Sequence, residues 1–200
     1  MLAFWVGQRM GKGRIEAFSD GVLAVIITIM VLELHAPHSP DLAALAESLP
    51  SFLGYILSFV YIGIYWNNHH HLFHATDRIN GTIMWANSHL LFWLSLVPFV
   101  TDWMSQNHFA TIPVAVYGVV LFMCGVAFYA LAQTIIRSQG PESKLKKLLG
   151  NDWKGQVSPV LYLAAIGLAF VNPTIAEGLY ALVALIWFIP DRRIERGLSH

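Results

Sequence analysis

Charge is scarce in this chain. Only 12% of its 200 residues are Asp, Glu, Lys or Arg, against 56% hydrophobic residues and a mean hydropathy of +0.56. A chain of that balance has lipid as its main solvent, and an integral membrane protein is expected. The 12 basic and 12 acidic residues cancel, which leaves no global field to recruit nucleic acid or steer a charged macromolecule. The single cysteine, Cys124, excludes an intrachain disulfide and sits in an apolar run, where a small buried hydrophobe accounts for it. There is no Gly-rich phosphate loop, dinucleotide fingerprint or zinc-finger spacing, so an ATP-driven pump in one chain is disfavoured. Gaps between apolar runs stay under about 20 residues, too short for an independent soluble core. Met1 to Val6 is apolar but precedes Arg9, Lys12 and Arg14 and lacks a small-residue cleavage site. It is not read as a signal peptide, and the N-terminus is expected to stay in the mature protein.

What the chain does have is apolar runs near the roughly 20 residues that a helix needs to cross hydrocarbon. Six windows qualify, at about residues 16–34, 51–68, 81–104, 112–136, 157–171 and 174–190. The expected fold is all-α, a single six-helix transmembrane domain over residues 1–200. Tyr65 and Trp66 suit an interfacial belt at the end of the second window. A polar turn is expected from His69 to Asn80, and the last two windows meet at Asn172-Pro173 as a tight hairpin. Between the fourth and fifth, LKKLL with Trp153 suits a short amphipathic helix on the bilayer surface.

The basic residues partition cleanly across these windows. Arg9, Lys12 and Arg14 precede the first, and Arg78 separates the second from the third. Arg137, Lys144, Lys146, Lys147 and Lys154 separate the fourth from the fifth, and Arg192, Arg193 and Arg196 follow the sixth. All 12 fall on one side, which supports six spans with both termini in the cytoplasm of a cell membrane. The opposite loops carry Asp41, Glu47 and Asp102, an acidic mouth that favours cations.

Polar groups inside the spans need partners, because an unsatisfied one costs several kcal/mol in hydrocarbon. His70 and His74, four apart, would share a helix face and could hold a metal, but neutral imidazoles serve equally as hydrogen-bonding groups at an interface. Neither a metal nor a cofactor is expected. Asn87 and His89 suit helix–helix hydrogen bonds, while Glu33 and Glu177 lie near helix ends where hydration is cheap. Asp20 is harder to accommodate. It stands six residues after Arg14, about 120° around a helix at about 100° per residue, so the two cannot pair within it. Its partners must come from other elements, with His69 to His71, Trp66 and the third span as candidates. Arg14, Phe18, Val25 and Leu32, with Thr28 and Ile29 alongside, define a second, mainly apolar face. Ordinary helix packing explains such a face as well as any function does.

Arg14, Phe18, Ser19 and Asp20, in the order Arg-x-x-x-Phe-Ser-Asp at the start of the first span, resemble the signature of the endolysosomal potassium-channel family and its bacterial relatives. Trp66 with His69 and His70, then Asn87 and Pro98-Phe99, match the same pattern. The likeness covers the first three spans, and the remainder by topology. The resemblance implies a homotetramer whose central pore, lined by the first helix of each subunit, passes potassium and other monovalent cations. Carried over by position, the pore residues are Val25, Thr28, Ile29 and Leu32. The structural network would comprise Arg14, Phe18, Ser19, Asp20, Trp66, His70, His71 and Asn87. No Thr-Val-Gly-Tyr-Gly filter is present, so a carbonyl ring is not expected to select the ion. Val25 stands at the first constriction, where relatives are expected to carry Ile or Leu.

Two other classes stay open on the sequence. A secondary transporter would want broken helices in matching halves, which are not seen here. A histidine-metal membrane enzyme would need ligands beyond His70, His74 and His89. The charge partition is testable by itself: a membrane-impermeant lysine reagent should modify Lys144, Lys146, Lys147 and Lys154 in inverted vesicles and leave them untouched in intact cells. Labelling from outside would overturn the six-span topology.

Overall fold

The structure is a computed structural model that describes residues 11–140, 143–149 and 153–188. Arg9, Arg192, Arg193 and Arg196, residues 189–190 of the sixth window and the Lys147 side chain lie outside the described part. In chain order the helices are α1 (Lys12–Leu32), α2 (Leu42–Glu47), α3 (Leu49–His74), α4 (Gly81–Ser95), α5 (Val97–Gln106), α6 (Thr111–Gln139), α7 (Lys144–Leu149), α8 (Trp153–Ala169) and α9 (Pro173–Phe188). Among the described residues, four stretches are long and apolar enough to cross a bilayer: α1, α3, Gly81–Gln106 and α6. The fifth and sixth windows became α8 and α9, of 17 and 16 residues. At 1.5 Å per residue they are about 25 Å long, short of the roughly 30 Å hydrocarbon core.

Local chemistry sets several boundaries. Pro50 stands in the first turn of α3, where a missing N–H costs nothing. Pro98 does the same for α5, and it divides the third window: a proline cannot donate to the carbonyl four residues back, so α4 stops at Ser95 and α5 restarts at Val97. Asn80 caps α4 by accepting a hydrogen bond from the Ile83 amide at 2.9 Å. Gly140 ends α6 at φ +78°, a conformation that a side chain would resist. Asn172 turns the α8–α9 hairpin, its Oδ1 accepting from the Thr174 amide at 3.0 Å. One expectation is corrected: the polar turn read from His69 begins only after His74. Leu72 and Phe73 are buried in the core, and their burial holds the histidines in helical register.

α6 is the pillar of the bundle, packed against α4, α5, α8 and α9, while α1 lies across α3, α4 and α5. The core where α3, α6, α8 and α9 meet is built on buried tyrosines. Tyr61 Oη donates to the Tyr180 carbonyl at 2.6 Å, and Tyr180 Oη donates to the Val114 carbonyl at 3.2 Å. The Tyr117 and Tyr180 rings meet edge to face at 5.6 Å. Beside them Ser58 Oγ bonds Thr101 Oγ1 at 2.6 Å and Tyr117 Oη at 3.0 Å. Each hydroxyl thus finds a partner where no water competes. The basic end is tied by Lys12 Nζ donating to the His74 carbonyl at 3.2 Å and by an exposed Lys144–Asp77 pair at 3.7 Å.

This packing leaves no room beside Gly118, where an added Cβ would collide with Tyr180 Oη and Ile166. Gly118→Ala should therefore destabilise the protein by about 1–3 kcal/mol through overpacking. Gly125→Ala, whose Cβ would meet only Tyr65 Oη at 3.8 Å, is the control and should be nearly neutral. Thermal unfolding of the detergent-purified variants reads the difference.

Candidate functional site

α1 has two faces, and the structure shows what each meets. Ile15, Ser19, Leu23, Ile26 and Met30 recur at intervals of four or three and are buried in the bundle. On the other side Phe18, Val25, Ile29 and Leu32 remain 60%, 55%, 41% and 76% exposed in the single chain. A helix so apolar on both sides buries only one of them within its own chain.

The buried face is anchored by a single line of hydrogen bonds through three helices. Ser19 Oγ on α1 donates to the Ile15 carbonyl at 2.8 Å, which spends its proton and leaves its lone pairs free. Asn87 on α4 fills that vacancy, its Nδ2 donating to Ser19 Oγ at 2.9 Å. The other end of the same amide, Oδ1, accepts from His69 Nε2 on α3 at 2.8 Å. All three side chains are buried. The His69 ring also lies against Phe73 at 4.5 Å between centroids, which fixes its plane. Every donor here points one way, toward the α1 backbone, so each bond polarises the next in a low-dielectric interior.

Asp20 finds its partner across helices, as its position required. Trp66 Nε1 on α3 donates to Asp20 Oδ1 at 3.1 Å in an exposed position. Trp66 in turn stacks on His70 at 6.5 Å. Arg14 is exposed and forms no ion pair with Asp20 among the described residues. Phe18 points away from the bundle and joins neither group. The Thr28 hydroxyl donates to the Val25 carbonyl at 2.8 Å, which leaves its oxygen lone pairs facing outward.

The histidines sort differently from the sequence reading. His69, read as one possible partner of Asp20 and as part of the family pattern but left out of the structural network, is the member that enters the buried line. His70 is exposed beside Trp66, and the half-buried His71 lies 5.7 Å from it between ring centroids. The signal was present in spacing: Ile62, His69, Leu72 and Phe73 share the buried side of α3. His89 is also reassigned, since its Nε2 accepts from Trp93 Nε1 one turn on at 2.9 Å, a bond within α4 and not between helices. His70 and His74 lie 6.3 Å apart between ring centroids, and among the described residues no group of three His, Cys, Asp or Glu converges around them.

Removing Asn87 should cost more than removing Asp20. Asn87→Ala leaves Ser19 Oγ and His69 Nε2 facing a dry gap, at about 1–3 kcal/mol for each unpaired group. Asp20→Ala loses one exposed contact within the subunit, and its cost is expected to fall on assembly. Thermal unfolding of both variants in detergent, beside size-exclusion profiles, checks the order. A larger loss of unfolding temperature for Asp20→Ala would show that α1 is held otherwise.

Comparison with known proteins places this arrangement. Residues 14–98, from Arg14 through Pro98, match the family described as endosomal/lysosomal potassium channel TMEM175. The matched stretch contains Ser19, Asp20, Trp66, His69 and Asn87. A potassium channel of Chryseobacterium sp. (strain P1-3) is 56% identical over 95% of this chain and 99% of its own length. A potassium channel of Streptomyces collinus is 29% identical over 88% of this chain and 91% of its own. The crystal structure of a lysosomal potassium-selective channel TMEM175 homolog from Chamaesiphon minutus superposes with a TM-score of 0.76 at 28% identity, covering 89% of this chain and 96% of that one. The chain belongs to the TMEM175 family.

Proposed function

We propose that this protein is a potassium-permeable monovalent cation channel, not an enzyme. In this reading four copies of the chain surround a pore lined by α1, with α8 and α9 completing six spans per subunit. It would lie in the cell membrane with both termini cytoplasmic, in contact with membrane lipid. The observation that carries the reading is the bare apolar face of α1, held outward by the Ser19–Asn87–His69 line behind it. Val25, Ile29 and Leu32 stand four and three residues apart on that face, so in a symmetric assembly they would form rings about 6 and 4.5 Å apart along the axis. Such rings offer an ion no replacement for its hydration shell, and they would limit the current and close by dewetting. Thr28 is the polar group among them. With its proton committed to Val25, it would present oxygen lone pairs to a partly dehydrated cation. The names of the Chryseobacterium and Streptomyces relatives support potassium as the permeant ion.

Single-channel recording under bi-ionic conditions tests this. Ile29→Asn and Leu32→Asn should raise current and lower the preference for potassium over sodium, because they hold water in the narrow part; Val25→Ala should do so by widening it. Leu23→Ser, on the buried face, should lower stability and leave selectivity unchanged. The assignment of the pore face is wrong if Leu23→Ser shifts selectivity while the Ile29 and Leu32 variants do not.

A further inference from the structure

Away from α1, a cavity of about 660 Å³ lies between α3, α6 and the start of α8, with Trp187 of α9 in its wall. Its volume falls within the range of about 300–1,000 Å³ typical of small-ligand sites. Along α6 its wall runs from Phe122 to Ile136, 14 residues or about 21 Å of helix rise. It is therefore elongated along the helix axes. Its deep end is aromatic, with Tyr61, Phe122 and Tyr162, and its flank opens beside Tyr129 and Val126, both exposed on the outside of the bundle. Apart from tyrosine hydroxyls, the polar groups lie toward the basic end, where Gln133, Gln156, Asn68 and the Lys146 side chain line it. Among the described residues, no acidic side chain lines it.

The charges around the mouth are not equivalent. Lys144 is paired with Asp77 at 3.7 Å, whereas the neighbouring Lys146 is exposed and turned to the cavity. Lys154 lies 5.9 Å from the ring of Trp187, which itself lines the cavity and is fixed by donating to Ser158 Oγ at 2.8 Å. The site thus joins an apolar, chain-length slot to a basic, hydrogen-bonding rim. A single molecule meets both demands when one end is an alkyl chain and the other an anion.

We propose that this cavity binds an anionic phospholipid from the surrounding bilayer, with an acyl chain along α6 and the headgroup phosphate at Lys146. A zwitterionic lipid would fill the slot equally well but would gain less at the rim. The site involves no α1 residue, so it stands or falls independently of the pore.

Native mass spectrometry of the detergent-purified protein tests the proposal, with phosphatidylglycerol and phosphatidylcholine of identical chains added in equal amounts. Wild type should retain phosphatidylglycerol in preference. Lys146→Ala should weaken that retention about fivefold, the worth of one basic residue at an anionic lipid surface, while leaving phosphatidylcholine unchanged. Gly125→Phe, which fills the slot from α6, should reduce both lipids. A second readout does not depend on that variant folding: phosphatidylglycerol brominated on its acyl chain should quench tryptophan fluorescence more in wild type than in Trp187→Phe. Equal retention of the two lipids by wild type, or quenching that is the same without Trp187, would overturn the proposal.

Discussion

The rotation of one helix about its own axis is the constraint on which this architecture turns. α1 is apolar nearly all round, and hydrophobicity alone cannot tell a bilayer or a bundle which side to bury. Three polar side chains break that degeneracy. Ser19, Asn87 and His69 satisfy one another only when α1 presents Ser19 to α4. Turning the helix by one residue, about 100°, would break the Ser19–Asn87 bond and leave the buried Asn87 Nδ2 without its partner in a medium without water. The line contributes orientation more than attraction, since its net stabilisation is modest beside the penalty of breaking it.

Behind this anchor the rest of the chain acts as a buttress. α4 and α5 stand between α1 and the α6 pillar, so the position of Asn87 inherits the rigidity of the tyrosine-filled core. That core uses hydroxyls to the same end as the anchor does. Tyr61 and Tyr180 bond backbone carbonyls on neighbouring helices, which fixes the distance between them, and Gly118 admits the Tyr180 hydroxyl at closest approach. In hydrocarbon, where burial of apolar surface supplies no preference for protein over lipid, close packing and satisfied hydroxyls are the forces left.

The two sides of the chain differ. The α1 face is mainly apolar, and the Ser19–Asn87 bond of that helix points inward. The α6 side is uneven, with an aromatic slot whose lining becomes polar toward the basic end. That end is cross-linked through Lys12 with the His74 carbonyl and Lys144 with Asp77, which ties the start of α1 to the end of α3 and the α3–α4 connection to α7.

Length and apolarity were enough to read the main helices from the sequence, because a chain in lipid must satisfy its backbone within each segment and that requirement is local. The asparagines at 80 and 172 stood at the window boundaries by the same local logic, whereas the break at Pro98 fell inside the third window and the end of α6 at Gly140 lay beyond the fourth. The sequence also required Asp20 to seek a partner outside α1, since its spacing from Arg14 forbade an internal pair. It did not choose between Trp66 and the histidines, nor say that His69, not His70 or His71, would turn inward. Those choices depend on the relative rotation and depth of α1, α3 and α4. The rotation of α3 is set by Leu72 and Phe73 entering the core, and neither side chain's environment is written in its own neighbourhood of sequence. The cavity was invisible for the same reason: it is a property of the spacing between α3, α6 and α8, and no single helix carries it.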